Sequence, residues 1–420
     1  MSLDESANHS NAISPDSGQP ALDSPRAWRM ALAAFFACFT IFGVVYSFGV
    51  FFKPMAAEFN ASRAHTSIVF SLTAAIYNLL GLAAGHLSDR FGPRRIMAAG
   101  AVAIGAGLCL TASADRLWFG CAAYGLGVGI GVACWYVPAL AVVSGWFLKR
   151  RTAALGVAVS GVGCGTLVVV PIAAALIQRF GWREAYLMMG AASSLALLGC
   201  AWIVEAPPVH EITLAAPIQL TAAMGTQDFI LLYLSSVLSS VSIYIPLVYL
   251  PDFAHNRGAS QVAAAALVGI IGAASVGGRL GLGTIGGRAS TIGLYKATML
   301  LLGLSYAFWI GAHSYATLVV FALVMGASYG GMIALSPAVV AEIFGVRGLG
   351  AILGALYTSS SISALAGPPL AGLIIDRTGS YLWVAAMAGG CSLLGYAALI
   401  PLKARAIASI DSSARSSAAE

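Results

Sequence analysis

Apolar residues run in long stretches along almost the whole chain, and polar positions crowd into the short gaps between them. The runs fall at about 28–51, 65–87, 94–113, 117–146, 152–178 and 183–204, then at 228–250, 261–285, 290–311, 315–343, 349–374 and 380–402. Each reaches the roughly 20 residues that a helix needs to cross a bilayer at about 1.5 Å of rise per residue. The pattern predicts an all-α membrane protein of twelve transmembrane helices, with the lipid bilayer as its surroundings. The loops are too short to hold a soluble catalytic domain. One gap is longer, at 205–227, and contains Pro207, Pro208 and Pro217.

Laying the second half of the chain on the first reveals a repeat with an offset of 197 to 198 residues. Pro54 meets Pro251, Ser62 meets Ser260, Gly85 meets Gly283 and Arg90 meets Arg288. Further along, Phe147 meets Phe344, Arg150 meets Arg347, Pro171 meets Pro368, Arg179 meets Arg377 and Gly181 meets Gly379. An offset this constant across six helices implies two six-helix bundles related by pseudo-two-fold symmetry along the membrane normal. A site is then expected between them near the midplane. The expected divisions are a disordered cytoplasmic tail at 1–26, bundles at 27–204 and 228–403, a cytoplasmic connector at 205–227, and a cytoplasmic tail at 404–420.

Composition agrees, since 59% of residues are hydrophobic and only 9% charged, against about a quarter charged in soluble domains. The first 26 residues carry Asp4, Glu5, Asp16 and Asp23 and lack the basic start and apolar core of a secretory signal. With both termini inside, the inner loops collect Arg26, Arg29, Arg90, Arg94, Arg95, Lys149, Arg150, Arg151, Arg288, Arg347, Lys403, Arg405 and Arg415. The outer loops collect Lys53, Arg63, Arg116, Arg179, Arg183, Arg257 and Arg377. This excess of inner cations places both termini in the cytoplasm, so the net charge of +6 sets topology and implies no nucleic-acid partner. Short loops favour a prokaryotic inner membrane, and a monomer is the expected working unit. Seven cysteines lie in apolar runs, without a C-x-x-C pair or a neighbouring histidine, so neither a metal nor a cofactor is expected.

Between spans 2 and 3 the chain reads Gly85-His-Leu-Ser-Asp89-Arg90-Phe-Gly-Pro-Arg94-Arg95. This resembles the G-x-x-x-D-R-x-G-x-R-R signature of the major facilitator superfamily. The resemblance implies that Gly85, Asp89, Arg90, Arg94 and Arg95 belong to a cytoplasmic gate, whose charge pairs hold one bundle against the other and break during transport. Arg150, Glu342 and Arg347, at the same end, join the candidate gating set. Gly287 stands in the repeat where Asp89 has its carboxylate, which predicts an asymmetric gate.

Three passages are similar to the monocarboxylate transporters and their oxalate/formate exchanger relatives. They are Ser47-Phe-Gly-Val-Phe-Phe-Lys-Pro54, Gly145-Trp-Phe-Leu-Lys-Arg-Arg-Thr-Ala-Ala-Leu-Gly156 and Glu342-Ile-Phe-Gly-Val-Arg347. The resemblance spans essentially all twelve helices.

Arg279 is the only arginine well inside a hydrophobic run, with no acid at comparable depth. A cation there costs at least about 2.5 kcal/mol on the mildest insertion scale, so it is expected to face a cavity or a partner. The missing counter-ion is therefore read as an anionic solute. The resemblance implies that Arg279 is the arginine that binds the substrate carboxylate, a task suited to a planar guanidinium that makes paired hydrogen bonds. Gly277, Gly278 and Gly281 either leave room for the solute or pack helices closely.

Polar residues expected to line the cavity are Tyr46, Asn78, Tyr136, Tyr244, Ser275, Tyr329, Tyr357 and Ser360. They would supply donors for a small hydroxy acid beside apolar walls. The exchanger pattern has a second cation where Ser360 stands, so one arginine implies one carboxylate. Proton-coupled relatives have an acid and a lysine where this chain has Ser275 and Tyr46. The expected function is secondary active transport of a monocarboxylate of the lactate or pyruvate type by alternating access, with proton symport. Exchange or uniport of the oxalate/formate type is the alternative, and drug/proton antiport a further one. An intramembrane enzyme would need nucleophile, base or metal-ligand constellations in the spans, which hold no acids or histidines to build one.

Overall fold

The computed structural model describes residues 22–148, 150–207, 223–285, 290–344 and 349–402. Arg288, Arg347 and most of the connector and tails lie outside the described residues. Among the described residues there are twelve α-helices. The first six are α1 (Pro25–Glu58), α2 (Arg63–Phe91), α3 (Pro93–Ala112), α4 (Leu117–Trp146), α5 (Arg151–Phe180) and α6 (Trp182–Ile203). The second six are α7 (Gln227–Asn256), α8 (Gln261–Ile285), α9 (Thr291–Ile310), α10 (Tyr315–Phe344), α11 (Leu349–Thr378) and α12 (Tyr381–Leu399). Eleven are long and apolar enough to cross a membrane. Counting the two parts of α2, Arg63–Gly81 and Ala83–Phe91, as one span bent by 51° gives twelve.

Local chemistry sets the helix limits. Serine and threonine hydroxyls cap several starts: Ser24 accepts from the Ala27 amide, Ser62 from His65 and Thr226 from Phe229. Gly92 (φ +87°) and Gly181 (φ +91°) sit between consecutive helices in the left-handed region, where a side chain would be strained, and so permit nearly direct turns. Prolines inside α1, α4, α5, α7, α10 and α11 are tolerated because neighbouring helices cover the freed backbone groups.

Helix α1 begins inside the stretch expected to be a tail. Asp23 accepts hydrogen bonds from the amides of Leu148 (3.3 Å) and Arg150 (3.0 Å), and Arg26 pairs with Glu205 at 2.5 Å. The segment just before α1 is thereby joined to the α4–α5 turn and to the chain leaving α6.

Packing follows the repeat. In the first bundle α1 packs on α5 and α6, α2 on α4, and α3 on α4 and α6; in the second, α7, α8 and α9 make the corresponding contacts with α11, α12 and α10. The bundles meet along α2–α11, α5–α8 and α1–α7. Glycine makes these crossings close. A methyl group on Gly163 of α5 would collide with the Gly272 carbonyl of α8, and one on Gly278 of α8 would collide with Ala327 of α10.

The interface has two unlike ends. At the end remote from Pro25, here the distal end, Lys53 on α1 and Arg63 on α2 face Asp252 on α7 and Asp376 on α11. At the terminal end, Asp89, Arg90, Arg94, Arg95 and Arg150 are exposed, and neither they nor Glu342 form an ion pair among the described residues. Gly85 lets α2 approach Val137 of α4 within its own bundle.

Candidate functional site

Helix α8 runs between α5 and α10, and its packing fixes the direction of Arg279. Gly272 and Val276 touch α5, while Ser275 and Gly278 touch α10. At 100° per residue, Arg279 projects between these two contact faces, toward the interface of the bundles. Gly277 and Gly281 lie on the opposite side, where a methyl group would meet open space, so they do not frame the arginine.

The Arg279 guanidinium is half-buried and poorly satisfied. One Nη donates to the Val159 carbonyl of α5 at 3.3 Å, and Nε is buried without a hydrogen-bond partner. No carboxylate lies within ion-pair distance among the described residues. The Cζ atom stands 6.0 Å from the centre of the Tyr329 ring, the outer limit of a cation–π contact. A guanidinium has five N–H donors in a fixed fork, so most of its bonding capacity is unused.

Tyrosines from four helices surround this head group. Tyr46 (α1), Tyr136 (α4) and Tyr357 (α11) all lie in its electrostatic field, as does Cys38 on α1. The Tyr46 and Tyr329 side chains face each other. Phe42 is the apolar hub beneath them, with ring centres 5.6 Å from Tyr46, 6.2 Å from Tyr77 and 5.2 Å from Tyr136. Tyr357 keeps 46% of its surface accessible.

A second polar group continues from this ring. The Asn78 amide of α2 donates to its own helix at Ala74 and, at 3.4 Å, to the Tyr244 hydroxyl of α7. Ser360 and Ser240 join α11 to α7 at 3.3 Å. The structure therefore gathers Tyr46, Asn78, Tyr136, Tyr244, Tyr329, Tyr357 and Ser360 around the same interface as Arg279. Ser275 differs: it is buried against Gly330 of α10, its hydroxyl without a partner.

Sequence reasoning missed the Val159 carbonyl, the Phe42 hub and the closure at the distal end. In that closure Asp252 lies 3.8 Å from Lys53 and 3.7 Å from Arg63, and it accepts a short hydrogen bond from Tyr381. Asp376 lies 3.6 Å from the Arg63 guanidinium and also accepts from the amides of Arg63 and Ala64.

Chemically, the arrangement can receive an anion on the unused donors of Arg279, orient its remaining oxygen atoms by phenol groups, and enclose a small apolar part against rings. The Major Facilitator Superfamily model matches residues 30–310. The chain is 30% identical over 384 residues to monocarboxylate transporter 13 of Rattus norvegicus, covering 90% of each protein. It is 28% identical over 403 residues to human monocarboxylate transporter 11, covering 91% of this chain and 84% of that one. Among solved structures, an inward-facing bacterial homologue of the lysosomal transporter Spinster superposes with a TM-score of 0.71 at 17% identity, covering 90% of this chain and 95% of that one. A D-xylose–proton symporter gives 0.69 at 15% identity, covering 90% and 98%. The solved structures share the fold, and the family model and relatives show that this multi-pass chain is a membrane transporter rather than an enzyme and belongs to the monocarboxylate transporter family of the major facilitator superfamily.

Proposed function

We propose that the protein carries a small monocarboxylate of the lactate or pyruvate kind across the membrane by alternating access, with a proton moving alongside. The observation that carries this reading is Arg279: a guanidinium at the bundle interface, ringed by tyrosines, held by one carbonyl and matched by no carboxylate among the described residues. The substrate carboxylate takes the unused donors, and Tyr46, Tyr136 and Tyr329 orient its other atoms. Ser360, bonded to Ser240, offers no second charge, so a dicarboxylate would leave one end unmatched. The terminal end, where basic loop residues are in excess, faces the cytoplasm, and the short loops favour a prokaryotic inner membrane. There the Asp89 cluster forms the gate that closes when the distal end opens. The chain works as a monomer.

An exchanger or uniporter of the oxalate/formate type is favoured by one observation: no acid stands beside Arg279 among the described residues to carry a proton with the substrate. The test is uptake of labelled lactate into proteoliposomes, with and without an imposed pH gradient, by wild type, Arg279→Ala and Arg279→Lys. Both variants are expected to lose nearly all uptake, because truncating one partner of a desolvated charge pair costs roughly 2–5 kcal/mol. Full transport with unchanged affinity in either variant overturns the assignment. Equal wild-type uptake with and without the gradient selects the exchanger or uniporter.

A further inference from the structure

Each bundle holds a cavity at its distal end, and the internal repeat relates the two. In the first bundle the cavity lies between the α1–α2 and α3–α4 turns, and its lining includes Glu58, Asp115 and Arg116. In the second it lies between the α7–α8 and α9–α10 turns, with polar lining from Arg257, His313, Ser314 and Tyr315 and apolar lining from Phe253 and Leu318. This second cavity measures about 240 Å³, far above the roughly 10–15 Å³ that admits one water molecule. Among the described residues none that line it is acidic, whereas the first cavity has two acids. The cations at these corners differ in the same way. In the first bundle Arg183 donates to the carbonyls of Ala112 and Ala114 and pairs with Glu58 at 2.7 Å. In the second, Arg257 donates at 3.0 Å to the carbonyl of Ala312, the repeat position of Ala114. Its Cζ atom stands 5.0 Å from the centre of the Phe253 ring. No carboxylate pairs with Arg257 among the described residues. Helix α1 ends on Glu58, whereas α7 ends on the neutral Asn256. The second corner therefore repeats the cation and omits its counter-charge.

We propose that the second cavity binds a phosphate-type oxyanion at the distal membrane surface. The Ala312 carbonyl and the Phe253 ring hold the guanidinium in place, so its remaining N–H donors form a fixed fork of the kind that grips phosphate oxygens. Helices α8 and α10 both begin at the cavity, through Ala263 in the first turn of one and Tyr315 at the start of the other. Their positive ends add to the attraction for an anion. Phe253 and Leu318 give the cavity an apolar wall. Tyr315 is exposed at its rim and donates to the Ala263 carbonyl at 2.9 Å, an amphipathic placement that suits the headgroup layer. The same oxyanion chemistry is carried by the phosphodiester of an anionic lipid and by free phosphate. Binding here is independent of what Arg279 holds.

Thermal melts of the full chain in detergent micelles test the site, with phosphatidylglycerol, phosphatidylcholine or inorganic phosphate added. A ligand that binds only the folded protein raises Tm by mass action. Phosphatidylglycerol should raise Tm above its value in phosphatidylcholine, and Arg257→Gln should increase the concentration giving half that shift by about tenfold or more. Ser314 accepts from the Thr317 amide at the start of α10, a cap that aspartate retains. Ser314→Asp thus keeps the helix start while placing a negative charge in the cavity. It should weaken the response as Arg257→Gln does, and it decides the matter should Arg257→Gln fail to fold. Arg116→Gln, in the cavity of the first bundle, should leave the response unchanged. A rise with phosphatidylglycerol alone assigns the site to a lipid headgroup. A rise with inorganic phosphate that depends on Arg257 in the same way assigns it to a free oxyanion. No rise with either, a response retained in Arg257→Gln or Ser314→Asp, or an equal loss in Arg116→Gln overturns the site.

Discussion

Arg279 and Arg63 are two arginines at one interface, and their surroundings are opposite. Arg63 lies close to two carboxylates contributed by the other bundle, 3.7 and 3.6 Å away. Arg279 reaches one carbonyl and a tyrosine ring, with no carboxylate in range among the described residues. A cation neutralised across an interface pulls the two halves together. A cation left without a counter-charge in a half-buried place keeps its capacity for whatever anion can enter. The contrast explains how one fold closes one end and still presents a receptive centre.

The largest effect should come from making the two arginines alike. Cys38 on α1 is buried and lies in the field of Arg279, so Cys38→Asp supplies the missing carboxylate within the protein. Coupling of close, desolvated charge pairs runs to several kcal/mol, and about 2.7 kcal/mol is already a hundredfold in affinity. Lactate uptake should therefore fall by about a hundredfold or more, while gel filtration shows the variant still folded. A folded Cys38→Asp protein with wild-type uptake would mean that Arg279 is not where the anion sits.

Much of this contrast was legible in the chain, and what escaped did so for physical reasons. Hydropathy alone gives the twelve helices, because a bilayer forces every span to be long, apolar and internally hydrogen-bonded. Arg279 stands out as the one deep cation, and the tyrosines around it follow once the repeat places a site between the bundles. Ser275 did not follow: one residue's rotation on α8 decides whether a side chain meets the bundle interface or α10, and spacing relative to Arg279 does not fix that. The distal closure was missed because each of its charges, read singly, is an ordinary helix-end residue. A signal was present in the repeat, however. Lys53 precedes Pro54, and Asp252 follows Pro251, so equivalent corners of the two bundles carry opposite charge. The segment at 22–26 was read as tail because it is polar, yet Asp23 and Arg26 find partners that only the folded bundle supplies.

A smaller effect should separate the charge at the centre from the hydroxyls around it. Tyr329→Phe and Tyr136→Phe keep the rings and remove one hydrogen-bonding group each, a change of about 0.5–1.5 kcal/mol. The concentration of lactate giving half-maximal uptake should rise by roughly two- to tenfold, with the maximal rate less affected. If either substitution matched Arg279→Ala, recognition would belong to the phenols and the arginine would be secondary.

The smallest effect should fall on the cation that shares Arg63's closure without its burial. The Lys53 side chain is 55% exposed and stands 3.8 Å from Asp252, so water and salt screen much of the attraction. It also donates to Asn256 at 3.1 Å, a contact that glutamine can retain. Exposed pairs contribute about 0–1 kcal/mol, so Lys53→Gln should change thermal stability by less than about 1 kcal/mol and the difference should shrink further in high salt. Arg63→Gln should cost more, because it leaves Asp252 buried with only the exposed lysine to answer its charge, and that cost should resist salt. The two variants, melted side by side at low and high ionic strength, therefore measure how much of the closure is held by buried charge. Equal losses that vanish together in salt would mean that the distal end is held by screened surface attraction, and that Arg63 differs from Arg279 in surroundings but not in strength of hold.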